Sequence, residues 1–262
     1  MRIIQTRVGP TNVVLTGYLQ DITGDGGIRN IRPSIIILPG GGYRYRSERE
    51  REAVAMHFLA QTYHVFILDY SVGTNAGKLN PLLELSDALM RIREHATTWM
   101  CDPTRVAVIG FSAGAHLAAS IATLHDHPKV TAVQKVVDQN NRPDAVILSY
   151  PVINDHAMSL EYISGGDPEL KEFFHLDQRV TATAAPAFIW HTATDPSVPV
   201  ENAIDLAVAY RKAGVPFALH IFESGDHGLS MCTEEVGTPH KEARQWVDLA
   251  TNWLNSRFSH TL

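Results

Sequence analysis

The sequence predicts an α/β protein with a mostly parallel central sheet and helices on both of its faces. Short runs of β-branched and apolar residues alternate with longer amphipathic runs almost to the C-terminus, a pattern typical of a parallel sheet flanked by helices. The apolar runs are nearly continuous, as expected of strands buried on both faces. With 262 residues, of which 45% are hydrophobic, the chain can bury a sizeable core, and we expect residues 1–262 to form a single domain.

The predicted strands and helices follow one another in a regular order. Six runs are predicted to be buried strands, at residues 34–38, 64–70, 105–110, 144–150, 187–193 and 217–223. Upstream of them, "NVVLTGYLQD" alternates apolar and polar residues, which predicts an antiparallel edge strand. Helices are predicted in the intervening segments and at the end of the chain, within residues 47–61, 80–100, 113–124, 200–213 and 239–257.

Local signals indicate where two of these helices begin. Ser47 and Glu50 have the spacing of a capping box. The helix that they would open places four apolar residues on or near one face, Val54, Met56, Phe58 and Leu59. Asn80 is a predicted N-cap, because Pro81 follows it at the first helical position.

Charge and composition exclude several classes of protein. The formal net charge is −6 and no block of lysine or arginine occurs, so we expect no nucleic-acid partner. No apolar run approaches the roughly 18 residues that a membrane span needs. The start "MRIIQTRVGP" lacks the apolar stretch of a signal peptide, so the expected compartment is the cytoplasm. The two cysteines, Cys101 and Cys232, have neither disulfide-framework nor metal-site spacing.

A serine lies between two glycines where a predicted strand passes into a predicted helix. In "VAVIGFSAGAHLAAS", Ser112 is flanked by Gly110 and Gly114. This spacing is typical of a sharp strand-to-helix turn that exposes one hydroxyl. An N-cap serine is the alternative role. Because both the strand and the helix are predicted here, we interpret Ser112 as a nucleophile.

A serine nucleophile needs a base, and the base needs a carboxylate that orients it. "ESGDHGLS" places His227 in a loop after the last predicted strand, and "HTATDPSVP" places Asp195 after the strand before it. Asp155 and Glu223 are alternative acids, whereas Asp226, next to the histidine, is interpreted as a residue that caps the loop. The predicted order along the chain is therefore nucleophile, acid and base.

Three consecutive glycines follow the first buried strand, in "LPGGGYRYRS". Because residues 40–42 lack side chains, their N–H groups can approach a substrate oxygen, which predicts an oxyanion hole. Its remaining donor would be the N–H of Ala113, and a flexible turn is the alternative. Tyr43 and Tyr45 come next, and an aromatic face can stack on a sugar ring, so both are candidate substrate contacts. Simple packing is the alternative for both tyrosines.

Two long connections, residues 125–143 and 151–186, lack a clear period and are candidates for shaping a ligand pocket, with plain solvated loops as the alternative. The first contains "HDHP", which places two histidines and an aspartate close together. A metal site needs a further ligand at a suitable spacing, and the sequence offers none there. We therefore expect no bound metal.

Taken together, these segments resemble the α/β-hydrolase superfamily. The resemblance is narrower to small bacterial esterases related to acetyl xylan esterases and to hormone-sensitive-lipase-type carboxylesterases. It covers nearly the whole chain and is carried by "ILPGGGY", "SEREREAVA", "VFILDYSV", "VIGFSAGAHLAAS", "RPDAVILSYPVI", "FIWHTATDPSVPVENA" and "AGVPFALHIFESGDHGLS". Two positions depart from the family pattern: Pro39 stands where many relatives have histidine, and Ala115 stands where a second glycine is frequent.

The resemblance implies a fold without a large lid domain, and it assigns two groups of site residues: a triad of Ser112, Asp195 and His227, and oxyanion donors on Gly41, Gly42 and Ala113. It implies hydrolysis of short acyl esters, acetyl foremost, of small alcohols or carbohydrates, through an acyl-enzyme and without a cofactor. The expected partner is a small-molecule ester, and a dimer or tetramer is compatible with the group. Two alternatives remain open at this point: an amide or peptide hydrolase with the same residues, and a non-catalytic ligand-binding relative.

Overall fold

A computed structural model of the protein describes residues 1–21, 30–154 and 160–259. Over these residues the strands form one sheet in the order β1-β2-β4-β3-β5-β6-β7-β8. The strands are β1 (Arg2–Val8), β2 (Val13–Leu19), β3 (Arg32–Leu38), β4 (His64–Leu68), β5 (Cys101–Phe111), β6 (Ala145–Ser149), β7 (Ala187–Thr192) and β8 (Phe217–Phe222). Strands β3 to β8 pair in parallel, and β2 pairs antiparallel with β1 and β4. The predicted α/β class with a mostly parallel sheet is confirmed.

Helices cover both faces of this sheet, as predicted. They are α1 (Glu52–Ala60), α2 (Asn80–Glu94), α3 (Ala96–Trp99), α4 (Ala113–Leu124), α5 (Pro128–Thr131), α6 (Leu160–Ser164), α7 (Pro168–Phe173), α8 (Glu201–Ala213) and α9 (Gln245–Arg257). Apolar residues of α2, α4 and α8 share one core cluster, and those of α1 and α9 share a second. The sheet therefore separates two hydrophobic cores.

Strand β3 shows why the buried strands are continuously apolar. Alternate residues of a strand point to opposite faces of the sheet. Ile36 and Leu38 pack in the core on the α2 and α4 side, whereas Ile35 and Ile37 pack on the α1 and α9 side. All four are fully buried, so a polar residue at any of them would lose its hydration without a partner.

Three predictions about the N-terminal half are wrong in detail. Strand β2 is antiparallel as predicted, but it is not the edge, because β1 pairs along its whole length from Arg2↔Leu19 to Val8↔Val13. Ser47 makes no side-chain cap, and a short 3-10 turn at Glu48–Glu50 precedes α1. Met56 is exposed, and Ala55 takes the buried position beside Val54.

Other helix ends shift by a few residues. Helix α2 begins at Asn80 itself, preceded by Leu79 in a left-handed conformation with φ 62°. The side chain of Asn80 donates to the carbonyl of Asn75 at 3.0 Å instead of capping the helix. Helix α9 begins at Gln245, later than the predicted residue 239. The two long connections contain short helices, α5 in the first and α6 and α7 in the second.

The part of the chain that the structure describes contains no separate lid domain over the C-terminal ends of the parallel strands. Within the same residues, none of the helices combines the length and the apolar composition needed to cross a bilayer. The C-terminal ends of β3, β5 and β7 and the loop after β8 instead meet at an open edge, where the residues singled out from the sequence come together.

Candidate active site

Ser112 occupies a tight turn between the end of β5 and the start of α4. Its backbone has φ 54° and ψ −118°, a conformation that non-glycine residues rarely adopt. Its N–H donates to the carbonyl of Ser149 on β6 at 2.9 Å. A Cβ at Gly110 would lie 2.1 Å from the Gly114 carbonyl oxygen, and a Cβ at Gly114 would lie 2.1 Å from the carbonyl oxygen of Leu38. The two glycines are therefore required because backbone segments touch at both positions.

The structure brings the three residues of the predicted triad together. The imidazole Nε2 of His227 lies 2.8 Å from Ser112 Oγ, and its Nδ1 lies 2.7 Å from Asp195 Oδ2. With a proton on Nδ1, His227 donates to the carboxylate and leaves Nε2 as an acceptor for the serine hydroxyl. The arrangement satisfies the geometric requirement for a base-activated nucleophile.

Asp195 is held as an anion by its surroundings. Its Oδ1 accepts hydrogen bonds from the N–H groups of Ser197 at 2.8 Å and Val198 at 2.9 Å, and its side chain is only 1% exposed. Burial by itself raises the pKa of Asp195, but the hydrogen bond and charge of His227 and the two N–H donors outweigh it, so the pKa is lowered. The carboxylate is therefore ionised at neutral pH and can stabilise a positive imidazolium.

The oxyanion loop, residues 39–42 after β3, presents free N–H groups near the nucleophile. Gly41 and Gly42 have φ 122° and 61°, and among the described residues their N–H groups meet no acceptor. The N–H of Gly40 is already used, since it donates to Glu50 Oε2 at 2.6 Å. Ala113 is the first residue of α4, where helix N–H groups have no intrahelical partner. The geometry thus leaves three predicted donors available, on Gly41, Gly42 and Ala113.

A cleft of about 360 Å³ opens at the nucleophile. Its walls include Ser112, His227 and both glycines of the oxyanion loop that have free N–H groups, and its rim includes Arg44, Tyr45 and Arg49. The volume is that of a small-molecule site. A short ester can therefore approach the serine, the imidazole and the free N–H groups at the same time.

The two tyrosines after the glycines have different surroundings. Tyr45 is 60% exposed and lines the cleft, so its predicted contact with substrate stays a prediction. Tyr43 is fully buried, and its hydroxyl lies 2.9 Å from His116 Nδ1. The predicted substrate contact of Tyr43 is therefore wrong, because its left-handed backbone, with φ 58°, turns the ring into the core.

A carboxylate that is not predicted as a site residue lies next to this site. The spacing of Glu50 from Ser47 predicts a capping box, but Glu50 is 2% exposed and accepts hydrogen bonds from the N–H of Gly40 and the hydroxyl of Tyr150. Burial raises the pKa of Glu50, against the opposing effects of these hydrogen bonds and of the charges of His227 and Arg49. One acidic residue in the charged run "SEREREAVA" has no local signal that it is buried, so only the fold identifies it.

The remaining candidate residues take part in local structure or are exposed. Glu223 and Asp226, the other described acids near the histidine, are exposed, and Asp155 lies outside the described residues. In "HDHP", His127 Nδ1 accepts from the N–H of Lys129 at 3.1 Å, which caps α5. Over the residues that the structure describes, no cluster of three or more His, Cys, Asp or Glu side chains has the arrangement of a metal site.

The fold and the site define the class of this protein: it is an esterase-like α/β hydrolase. The family described as BD-FAE matches residues 21–210. That range covers well over half of the chain, so the protein belongs to the BD-FAE family.

The chain is also similar to individual curated proteins and to solved structures. The chain is 36% identical over 213 residues to the endo-1,4-beta-xylanase B of Butyrivibrio fibrisolvens, a match covering 78% of this chain and 33% of that protein. It is 30% identical over 235 residues to the acetylxylan esterase of Xylanibacter ruminicola, covering 85% and 45%. The carboxylesterase Cest-2923 of Lactobacillus plantarum WCFS1 has a similar crystal structure, with TM-score 0.88, 28% identity and 98% coverage of both chains. The chain thus spans a third to just under half of these curated relatives.

Proposed function

We propose that this protein is a serine ester hydrolase that removes short acyl groups, acetyl foremost, from small alcohols or carbohydrates. The observation that carries the proposal is the continuous chain of contacts from Ser112 Oγ to His227 Nε2 at 2.8 Å and from His227 Nδ1 to Asp195 at 2.7 Å. Ser112, at one end of this series of contacts, lines a small open cleft together with Gly41 and Gly42, whose N–H groups meet no acceptor among the described residues. The relatives named for acetylxylan and carboxylic ester hydrolysis support the same reaction class.

In this mechanism, Ser112 Oγ attacks the ester carbonyl carbon while His227 Nε2 takes the hydroxyl proton. The carbonyl oxygen becomes an oxyanion, which the N–H groups of Gly41, Gly42 and Ala113 stabilise. Each such donor contributes about a hundredfold or more in rate. The imidazolium then protonates the leaving alkoxide, and the acyl group stays on the serine. A water molecule then attacks the acyl carbon while giving one proton to His227 Nε2. The bond to Ser112 Oγ breaks, the imidazolium returns that proton to Oγ, and the acid leaves.

The substrate class follows from the cleft and from the relatives. A volume of about 360 Å³ accommodates a short acyl group and one sugar or small alcohol, and the described residues contain no apolar lid that would hold a long acyl chain. The xylanase and the acetylxylan esterase among the relatives favour acetylated carbohydrate over a simple alcohol ester. Tyr45 at the rim offers an aromatic face on which a sugar ring can stack.

The test is hydrolysis of p-nitrophenyl esters from acetate to decanoate, with acetate release from peracetylated sugars and acetylated xylan followed in parallel. Ser112→Ala should lower kcat by about a thousandfold or more. The matched control is Ser120→Ala, on helix α4, whose hydroxyl donates to the carbonyl of His116. This variant should keep the wild-type rate. Equal rates for wild type and Ser112→Ala would refute the proposal. Parallel assays on an acetanilide and an aminoacyl arylamide test the amide-hydrolase alternative.

A further inference from the structure

Glu50 is a buried carboxylate beside the nucleophile that the proposed mechanism does not use. Its Oε2 accepts from the N–H of Gly40 at 2.6 Å, and its Oε1 accepts from the hydroxyl of Tyr150 at 2.6 Å. A Cβ built on Gly40 would lie 2.8 Å from this carboxylate and 3.1 Å from Ser112 Cβ. The Gly40 backbone is therefore held between the carboxylate and the nucleophile.

Placing a carboxylate here is costly. Both hydrogen bonds come from uncharged donors, and the charges of His227 and Arg49 offset only part of the hydration energy that the buried carboxylate loses, because its pKa stays raised. Costly ionisable groups in a cleft wall are concentrated at functional sites. Since Glu50 lines the cleft, this cost suggests a role in the chemistry of the site.

Tyr150 extends the network from Glu50 to the loop that carries the base. Its hydroxyl donates to Glu50 and accepts from the N–H of Ser230 at 3.0 Å. Its ring packs edge-on against the imidazole of His227, with the ring centroids 5.1 Å apart. The hydroxyl of Ser230 in turn donates to the carbonyl of Arg49 at 2.6 Å. The segment that contains Glu50 and the segment after His227 are therefore joined both through Tyr150 and by direct hydrogen bonds.

We propose that Glu50 is a positioning residue whose carboxylate fixes the oxyanion loop at Gly40 and, through Tyr150 and Ser230, fixes that loop relative to His227. This inference rests on the proposed ester hydrolysis. Because the Gly40 N–H is already bonded to Glu50, the next two N–H groups of the loop are the ones left for the oxyanion. Donors that are already aligned before the reaction stabilise the transition state without reorganisation.

The role predicts a particular kinetic signature. The oxyanion exists only in the transition state, so a misaligned loop lowers kcat and leaves KM nearly unchanged. Glu50→Gln keeps the shape and one acceptor but turns an NH₂ group towards one of the two donors. Misplacement by about 1 Å costs about a hundredfold in rate, so we expect losses in kcat from about tenfold for Glu50→Gln to about a hundredfold for Glu50→Ala. Tyr150→Phe, which removes only one hydroxyl, should lose about tenfold.

The experiment compares these variants with Glu84→Gln, a control at an equally buried glutamate. Glu84 is fully buried and accepts from the N–H of Ser71 at 2.7 Å and from the hydroxyls of Ser71 and Thr11, none of which lines the cleft. For each folded variant, kcat and KM for p-nitrophenyl acetate are measured together with inhibition by phenylboronic acid, which forms a tetrahedral adduct on serine. Titration with a p-nitrophenyl phosphate triester counts the sites, so that loss of folded protein is corrected for.

The expected result is a fall in kcat at Glu50 and Tyr150, with weaker boronate inhibition in proportion, near-constant KM, and unchanged kinetics for Glu84→Gln. The inference is overturned if both Glu50 variants keep kcat within about twofold of wild type. It is also overturned if the Glu50 variants lose kcat/KM through a higher KM with kcat unchanged, or if kcat falls to the same extent in Glu84→Gln. If the wild type hydrolyses none of the esters, both the proposed function and this inference are overturned. If the wild type is active and the Glu50 variants have the same kcat as wild type, only the inference is overturned.

Discussion

Gly114→Ala tests whether the serine turn is set by contact between backbone segments. Helix propensity favours alanine over glycine by about 1 kcal/mol, and Gly114 lies within α4, so a local argument predicts a more stable protein. The tertiary structure predicts the opposite. A Cβ at this position would lie 2.1 Å from the Leu38 carbonyl oxygen and 2.5 Å from that of Pro39, where ordinary contact begins at 3.4 Å.

The expected loss of activity and stability can be worked out from how far this Cβ falls short of an ordinary contact distance. To reach ordinary contact, the start of α4 must move about 1.3 Å away from the end of β3, and this movement separates Ser112 and Ala113 from the oxyanion loop. A misplacement of about 1 Å costs about a hundredfold in rate, so kcat/KM should fall by at least about a hundredfold. Overpacking of this kind costs about 1–3 kcal/mol, which corresponds to a fall in Tm of about 2–4 °C for each kcal/mol in a chain of this size.

The assay is kcat/KM for p-nitrophenyl acetate together with the Tm of the purified variant. Gly77→Ala is the matched control, because a Cβ there would lie 3.6 Å from Gly165 Cα and 3.9 Å from Gly165 N. Both distances are ordinary contacts, so this variant should change neither quantity greatly. If Gly114→Ala keeps more than about a third of the wild-type kcat/KM, or if its Tm rises as propensity alone predicts, the argument from backbone contact is wrong.

Three further outcomes are expected. Asp195→Asn removes the charge that faces His227, so kcat should fall by about 10⁴-fold; a loss below tenfold contradicts the assigned role. Tyr45→Ala should raise KM for acetylated sugars but not for p-nitrophenyl acetate. The same change in KM, relative to wild type, with both substrates would argue against stacking. Because burial raises the pKa of Glu50, the native state holds that proton more tightly than the unfolded chain, and stability falls as pH rises above about 4.3. The Tm of Glu50→Gln minus the Tm of wild type should therefore increase from about pH 4.5 to about pH 8. A Tm difference that stays constant over this range would refute the raised pKa of Glu50.

The nucleophile, acid and base could be placed from the chain alone because each follows a recognisable strand. The strand before His227, β8, was nevertheless wrongly predicted to be buried on both faces, because it lies at the edge of the sheet and is mostly half-buried. The C-terminal ends of neighbouring parallel strands lie at one edge of the sheet, so residues far apart in sequence, such as Asp195 and His227, become neighbours once the strands pair. The 2.7 and 2.8 Å contacts of His227 agree with that expectation. Their catalytic role stays a prediction until the Ser112→Ala and Asp195→Asn variants are measured.

Other features could not be predicted because they depend on contacts between distant segments. The alternation in β2 indicates one buried face, but it does not say whether another strand pairs outside it, and β1 does so. An acidic residue three positions after Ser47 fits a capping box, yet Glu50 instead bonds to the backbone of the oxyanion loop. Tyr43 follows the glycines in the chain, but a left-handed turn directs it into the core.

Whether a feature can be predicted from the sequence depends on whether it is set by local residue patterns or by contacts between distant segments. The chain alone predicts the α/β class, the order of Ser112, Asp195 and His227 along the chain with each after a predicted strand, and the glycines at the turn. It does so because burial in a sheet and sharp turns each impose a local pattern of residue types. Only the tertiary structure decides which N–H groups of the oxyanion loop remain free and which carboxylate holds that loop. Those outcomes depend on which polar groups meet after packing, and hydrogen-bond partners that are far apart in the chain leave no period or spacing in the sequence.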